Sequence, residues 1–238
     1  MQNTIKLPVS TAPARFEEKI QAAYQAFRHR LTLATADQFF LNATQYLQAL
    51  TQTGEGCLVL QMRKGLSFTV RRNIWDAQSI RETLVEPSFL SRLYLGRKPV
   101  VVEVGGYIGG FAIYAIKAFR AAQVITYESC SDNFGLLSQN VVNNTLDHRI
   151  TPVHAAVDCL AKLFSQHQLG QVDLLKVDAS RSQLDWLATA PQHLLHQVRN
   201  IVVSLPSEGA GAIAPVLNHL RASGYTLRTE KGLVYASL

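Results

Sequence analysis

Three carboxylates stand at or beside the ends of apolar runs: Glu103 in Val100-Val101-Val102-Glu103-Val104, Glu128 closing Gln123-Val124-Ile125-Thr126-Tyr127, and Asp178 closing Val172-Asp173-Leu174-Leu175-Lys176-Val177. A carboxylate at a strand end offers up to four lone-pair sites, enough to accept two hydroxyls at once or to face a cation. The first run leads into Gly105-Gly106-Tyr107-Ile108-Gly109-Gly110, then a helical pattern through Ala112, Ile113, Ala115, Ile116 and Phe119. That reads as a buried strand, a tight turn and a helix start. Glycines there let a ligand approach the backbone where a Cβ would clash. Glu128 follows Gly105 by 23 positions, the spacing at which an α/β nucleotide site keeps its ribose-binding carboxylate. As an isolated residue it would be an ordinary solvated strand end.

The glycine spacing limits the ligand. No frame through Gly105, Gly106, Gly109 and Gly110 gives G-x-G-x-x-G, and no G-x-x-x-x-G-K-[ST] occurs. The pattern is E-x-G-x-x-x-G, with an acidic lead-in. That favours a ligand with positive charge and few phosphates. S-adenosylmethionine, with a sulfonium, an ammonium and a ribose, meets the description. A nicotinamide-dependent oxidoreductase is the competing reading; it fits Glu128 but not the glycine spacing.

The elements that must hold these residues follow from periodicity. After the glycine turn, strands over 124–128, 149–157, 172–177 and 200–204 alternate with helices over 133–143, 160–167, 183–187 and 212–222. Such alternation implies parallel β-α-β units with right-handed crossovers. Tyr225–Thr229 and Leu233–Ala236 around Glu230-Lys231-Gly232 predict a terminal antiparallel hairpin. Cys57–Met62 and Leu66–Val70 around Arg63-Lys64-Gly65 predict another, followed by a helix from about Ala77 to Leu84. Upstream, amphipathic helices are expected over 14–31 and 37–50, the second with Asp37 as N-cap and Gly54 as stop. The predicted fold is therefore α/β: a mainly parallel twisted sheet ending in an antiparallel hairpin, preceded by two helices and a β-hairpin. Residues 1–56 are expected to form a helical extension, either a lid or dimer arm or a scaffold on the sheet edge. Residues 57–238 are expected to form the ligand-binding domain.

Bulk composition sets the remaining bounds. The 238 residues are 47% hydrophobic and 17% charged, an ordinary globular balance. No apolar run reaches the ~20 residues of a membrane span. The start of the chain lacks a signal-peptide apolar block, so a cytoplasmic, membrane-free protein is expected. Cys57, Cys130 and Cys159 contain no C-x-x-C and read as reduced thiols. His193 and His196 lack a third ligand at metal spacing, so metal-independent chemistry is expected. The net charge of +6 permits an acidic substrate, but the basic residues are scattered without an aromatic-interleaved stripe, so nucleic acid is not expected as a partner.

Several pieces in order resemble the FkbM family of S-adenosylmethionine-dependent methyltransferases, over about residues 66 to 205. They are Phe68-Thr69-Val70-Arg71 through Asp76; Val102-Glu103-Val104-Gly105 with Gly109; Tyr127-Glu128-Ser129 leading to Asn133, Asn140 and Asn143; His154-Ala155-Ala156-Val157; and Val172 through Asp178. The resemblance implies a class I methyltransferase Rossmann-like domain and O-methylation of a small hydroxylated acceptor, a natural product or a sugar. It implies that Glu103, Gly105 and Gly109, with the adjoining Gly106 and Tyr107, surround the methionine part of the cofactor. Glu128, with Ser129 and Asn133 beyond it, would hold the ribose. Ala155 and Ala156 would border the adenine, and Asp178 would face the methyl group and acceptor.

The chain departs from the family's Asp-x-Glu-Gly with Asp178-Ala179-Ser180-Arg181, and from its Glu-x-His with Ser204-Leu205-Pro206. Both departures fall on the acceptor side. They keep open a catalytically silent, cofactor-binding scaffold.

Candidate catalytic residues are Asp178 and His154. Asp178 stands either as base or as a turn-forming residue. His154 stands either as base or as a strand-rim residue. Asp158 is either an adenine acceptor or a helix cap. Tyr107 either packs on the ligand or gates the pocket, or packs on the N-terminal helices. Glu208 either lines the acceptor cleft or is solvated. A homodimer through the N-terminal helices is a further expectation, and a nucleic-acid methyltransferase is disfavoured by the missing Asn/Asp-Pro-Pro-aromatic signature.

Overall fold

The computed structural model describes residues 36–52, 54–85, 93–178, 184–205 and 210–238. The expected helix over 14–31, Glu208, and the segment following Asp178 lie outside these. Helix α1 (Ala43–Thr51) is followed by a two-stranded antiparallel hairpin, β1 (Cys57–Gln61) and β2 (Ser67–Arg71). Helix α2 (Ile74–Ile80) runs on into a π-turn over Arg81–Val85.

The main sheet has seven strands: β3 (Val100–Val104), β4 (Gln123–Glu128), β5 (Ile150–His154), β6 (Val172–Val177), β7 (Val198–Ser204), β8 (Thr226–Glu230) and β9 (Leu233–Ser237). Their order is β5-β4-β3-β6-β7-β9-β8. The first five in that order are parallel, while β9 runs antiparallel to both β7 and β8. Order reverses between β3 and β6, and ligands of open α/β sheets bind outside the carboxyl ends of strands at such a switch point.

Crossover helices are α3 (Gly110–Ala118), α4 (Ser131–Asn143), α5 (Leu160–Gln166), the short α6 (Asp185–Ala188) and α7 (Gln192–Leu195), and α8 (Ala214–Ala222). Side chains alternate across the sheet with period two. Val101, Val124, Ile150 and Leu174 enter one core with α1, the hairpin, α2, α3 and α4. Val102, Ile125, Leu175 and Ile201 enter the other, with α5, α6 and α8. Burial on both faces explains the near-continuous apolar strands.

Several boundaries differ from the sequence expectation. Asp37 does not cap α1; Asn42 occupies that position, and Leu41 N–H instead bonds Gln61 O beside a Phe40–Met62 bridge. The helix ends at Thr51, within a residue of the expected 50, and Gln52 rather than Gly54 is its C-cap. Helix α2 begins at Ile74, three residues early, because Asn73 accepts from the Asp76 N–H and caps it. Strand β5 stops at His154, so Ala155 and Ala156 lie in the loop beyond it.

The hairpin is joined to the main domain by an amide of α4, Asn140, and by that of its C-cap, Asn144. Asn140 accepts from Thr69 N–H (2.7 Å) and donates to Thr69 O (3.1 Å) and Ile108 O (2.9 Å). One turn later Asn144 accepts from Ser67 N–H (3.0 Å) and donates to Ser67 O (2.7 Å). The two amides replace a neighbouring strand along β2. Asn140→Ala strands three buried backbone groups, at about 1 kcal/mol or more each. Chemical denaturation followed by circular dichroism is expected to show a loss of about 3 kcal/mol, whereas Asn143→Ala, with one 3.3 Å contact to Thr69, costs under about 1 kcal/mol.

Candidate cofactor site at the switch point

The site begins with a row across three strands. Glu103 on β3 is in register with Thr126 on β4 and Lys176 on β6, so all three side chains leave the same face. All are buried, Glu103 to 1% exposure. Thr126 Oγ1 donates to Glu103 Oε2 at 2.9 Å, and Lys176 Nζ donates to Oε1 at 3.3 Å. Lys176 also reaches Asp178 Oδ2 at 3.2 Å and lies 5.0 Å above the Phe111 ring in the first turn of α3.

Burial pushes the Glu103 carboxyl up, opposed by the Lys176 charge and the Thr126 bond. Burial alone would lower Lys176, but Asp178 and Glu103 together raise it. Lys176 holds Asp178 below the usual carboxylate range, with a hydrogen bond from Ser204 adding to the effect. Asp178 is therefore an anion, and a weaker proton acceptor than an unpaired carboxylate.

Above the row sits the glycine turn. Gly105 adopts φ 88°, and a Cβ there would come within 1.8 Å of Asp178 O, so only glycine fits. The N–H groups of Gly105 and Gly106 both bond Tyr127 O (2.9 Å each), and Asp178 N–H bonds Val104 O (2.7 Å). These bonds fix the turn between β4 and β6. Gly109, at φ 88°, precedes α3.

Glu128 is buried and accepts from Tyr107 N–H (2.8 Å, Oε2) and Cys130 N–H (2.8 Å, Oε1). Each oxygen keeps a lone pair, so the carboxylate can still take two hydroxyls. Ser129 is exposed beside it.

A second polar group closes the hairpin side. Fully buried Asp76 accepts from Arg71 N–H (2.8 Å), Nε (3.0 Å) and Nη2 (2.8 Å), and from the Tyr107 hydroxyl (2.5 Å). Arg71 Nη2 also donates to Asn133 Oδ1 (2.9 Å), and its guanidinium lies 5.5 Å from the Tyr107 ring centroid. The Asp76 bonds raise the Arg71 guanidinium further; burial first, then the Asp76 bond, raise the Tyr107 phenol. Tyr107 holds a left-handed φ of 50°, uncommon for an aromatic residue, and Asp76 anchors it there. The Tyr107 side chain meets Asp76 of α2 and Arg71 of β2, neither of which belongs to the expected N-terminal helices.

Thus Glu103, Gly105, Gly106, Tyr107, Gly109, Glu128, Ser129, Asn133 and Asp178 come together at one edge. Ala155 and Ala156 line a shallow depression two strands away with Tyr127, Val157 and Lys162. Asp158 does not cap α5; it pairs with Lys162 (3.1 Å) in solvent. His154 is not brought to Asp178. Three strand spacings, about 14 Å, separate β5 from β6. Its ring stacks on Phe134 instead (centroids 4.8 Å, 18° between planes).

Sequence reasoning gave no role to Lys176, Thr126, Arg71 or Asp76. A lysine directly after Leu174-Leu175 and before Val177 was the available signal for Lys176, since a buried cation requires a partner.

No protein-family model and no curated protein sequence matches the chain. Among solved structures it is similar to precorrin-6y C5,15-methyltransferase from Geobacter metallireducens GS-15, with a TM-score of 0.50 and 15% identity over 64% of this chain and 84% of that chain. It is also similar to precorrin 8w decarboxylase from Methanobacterium thermoautotrophicum (TM-score 0.47, 15%, 65% and 89%) and to TYW2 of M. jannaschii in complex with AdoMet (TM-score 0.48, 15%, 78% and 87%). The chain has the class I methyltransferase fold.

Lys176→Met leaves Glu103 buried without a cation, at a cost of about 3–5 kcal/mol. In that variant the Glu103 carboxyl rises further above its unfolded value, so the native state binds the extra proton and stability falls as pH rises. Denaturation midpoints are expected to be higher at pH 5 than at pH 8 for Lys176→Met. The Glu103→Gln/Lys176→Met double variant should remove that slope.

Proposed function

We propose that the chain is an S-adenosylmethionine-dependent methyltransferase acting on a hydroxyl of a small acceptor, a natural product or a sugar. The observation that carries the cofactor reading is the acidic edge at the β3–β6 switch point. Asp178 and Glu128 flank a glycine turn that admits no Cβ at Gly105, Glu128 retains two lone pairs at ribose spacing, and Glu103 is paired with Lys176 beneath them. A cationic ligand with a ribose and no phosphate suits that donor set, whereas a dinucleotide's pyrophosphate would face carboxylates. The class I fold agrees with this reading, and the resemblance to the FkbM family supplies the acceptor class.

When bound, the cofactor supplies a sulfonium methyl group for in-line displacement by a nucleophile. The protein's part is mainly alignment and exclusion of water. Glu128 takes the ribose hydroxyls, and its bond to Tyr107 N–H fixes the turn beneath the methionine portion. Asp178 presents negative charge toward the reacting sulfonium and receives the acceptor's proton. A carboxylate held low by Lys176 suffices for this, because a hydroxyl becomes strongly acidic once its oxygen begins to bond carbon. Ala155 and Ala156, in the loop beyond β5, would border the adenine.

Calorimetric titration with S-adenosylhomocysteine tests the cofactor reading. Micromolar binding is expected for the native protein, with no response to NAD. Glu128→Ala is expected to lose at least about 30-fold in affinity, the loss of two charge-assisted hydrogen bonds at roughly 1–1.5 kcal/mol each. Absence of binding to native protein of unaltered melting temperature overturns the reading. Turnover on a panel of hydroxylated metabolites then tests the acceptor class; binding without turnover on any of them would favour the silent scaffold.

A further inference from the structure

One cavity among the described residues lies away from the acidic edge. It opens at the opposite, amino-terminal edge of β3, β4 and β5, with a volume near 670 Å³, within the range of small-molecule sites. Ile116 and Phe119 form an apolar floor, and Arg97, Lys98, Arg120 and Arg149 form the wall. No carboxylate lines it, and among the described residues none of the four cations forms an ion pair. Asp173, on the same edge, is committed to Val100 N–H (2.9 Å) and Arg199 (3.2 Å). The Arg149 guanidinium donates to Ala121 O, which turns it along the cavity wall.

Two general explanations for such a cluster fall short. Cations beyond a helix C-terminus offset its dipole, and Arg120 follows α3 while Arg149 follows α4. Arg97 and Lys98 precede a strand and neutralise no helix end. Nor does the backbone call for these residue types. Lys98 (φ 53°) and Arg120 (φ 55°) both hold left-handed conformations, which glycine adopts without strain. Two strained positions, on separate loops, each present a cation to one concavity. Like charges gathered without counterions repel one another, and an anionic ligand relieves the repulsion.

We propose that this cavity is a second ligand site that binds a phosphate-bearing small molecule, its phosphoryl oxygens held by Arg97, Lys98, Arg120 and Arg149 and its apolar part resting on Ile116 and Phe119. The concave form and apolar floor favour a compact ligand over a polymer, which needs an extended stripe. The length of β3, about 16 Å for five residues, separates this cavity from the acidic edge. Its ligand is therefore no reactant in chemistry at that edge; it regulates or anchors the protein. The inference does not depend on the cofactor assignment.

Isothermal titration at 150 mM salt with pyrophosphate, ATP and a 20-nucleotide single-stranded RNA tests it. Saturable binding of ATP or pyrophosphate is expected, weakened at least tenfold in Lys98→Gly/Arg120→Gly. That variant removes two charges where glycine suits the backbone, so its melting temperature should match or exceed the native one. Arg97→Gln, at an exposed loop position, provides a second variant with the same expected direction. S-adenosylhomocysteine binding should be unchanged in all of them. Absence of saturable binding of both small anions, or equal affinity in the native protein and the variants, overturns the proposal. RNA binding with a steep salt dependence but no small-anion binding also overturns it, replacing the ligand by a nucleic-acid backbone.

Discussion

The structure depends on the burial of one charge. Glu103 sits in β3, the middle one of the five parallel strands, on the face packed with α3, and cannot reach water. A lone carboxylate in that position would be prohibitive. Thr126 and Lys176, its register neighbours, make it tolerable. The requirement acts on topology as well as energy. Lys176 can serve Glu103 only if β6 lies directly beside β3, which is the adjacency that creates the switch point. Lys176 then extends the same charge network to Asp178 at the rim. The row therefore fixes a negative group at the edge while keeping the interior neutral. Such pairs bring little net stability over an apolar replacement. A functional demand at the edge accounts better for the row than stability does.

A second constraint links the hairpin to that edge. Asp76 gathers Arg71 from β2, Tyr107 from the glycine turn and, through Arg71, Asn133 from α4. Asn140 and Asn144 continue along the same edge of β2, at Thr69 and Ser67. The hairpin is thus fastened at both ends to elements that shape the turn. Tyr107 transmits this directly, because its side chain meets Asp76 while its N–H meets Glu128. A shift in the hairpin would move the ribose-side carboxylate. The segment preceding the sheet is part of the site's framework, not an attachment to it.

The sheet was legible because its strands are buried on both faces and punctuated by glycine or carboxylates. Val172–Val177 matches its expected limits, and the terminal hairpin falls within a residue of its own. Legibility failed where tertiary contacts decide the boundary. Asp37 looks like a cap, but Phe40 pairs with Met62 and delays the helix to Asn42. Strand β5 is an edge strand containing Pro152, with only β4 beside it, so pairing ends at His154 although the apolar pattern continues to Val157. At the site, each carboxylate was visible as a strand end. Their partners were not: a side chain's neighbours across a sheet depend on strand order, and no local pattern in Leu175-Lys176-Val177 reveals that Glu103 lies opposite.

Strand order also explains how a chain of net charge +6 can hold an acidic ligand edge. The carboxylates of Glu128 and Asp178 collect at the carboxyl ends of β4 and β6, with Glu103 buried and paired beneath them, while Arg97, Lys98, Arg120 and Arg149 collect at the amino ends of β3, β4 and β5. The two ends are about 16 Å apart along a five-residue strand. Ions at physiological strength screen exposed charges over about 8 Å. Each edge therefore presents its own sign to solvent, and the net charge describes neither. A cation approaching the glycine turn meets carboxylates at contact distance and the basic edge only through two screening lengths of solvent. The basic excess consequently does not argue against a cationic ligand at the switch point. It bears instead on what binds at the far edge, where among the described residues the positive charges form no ion pair.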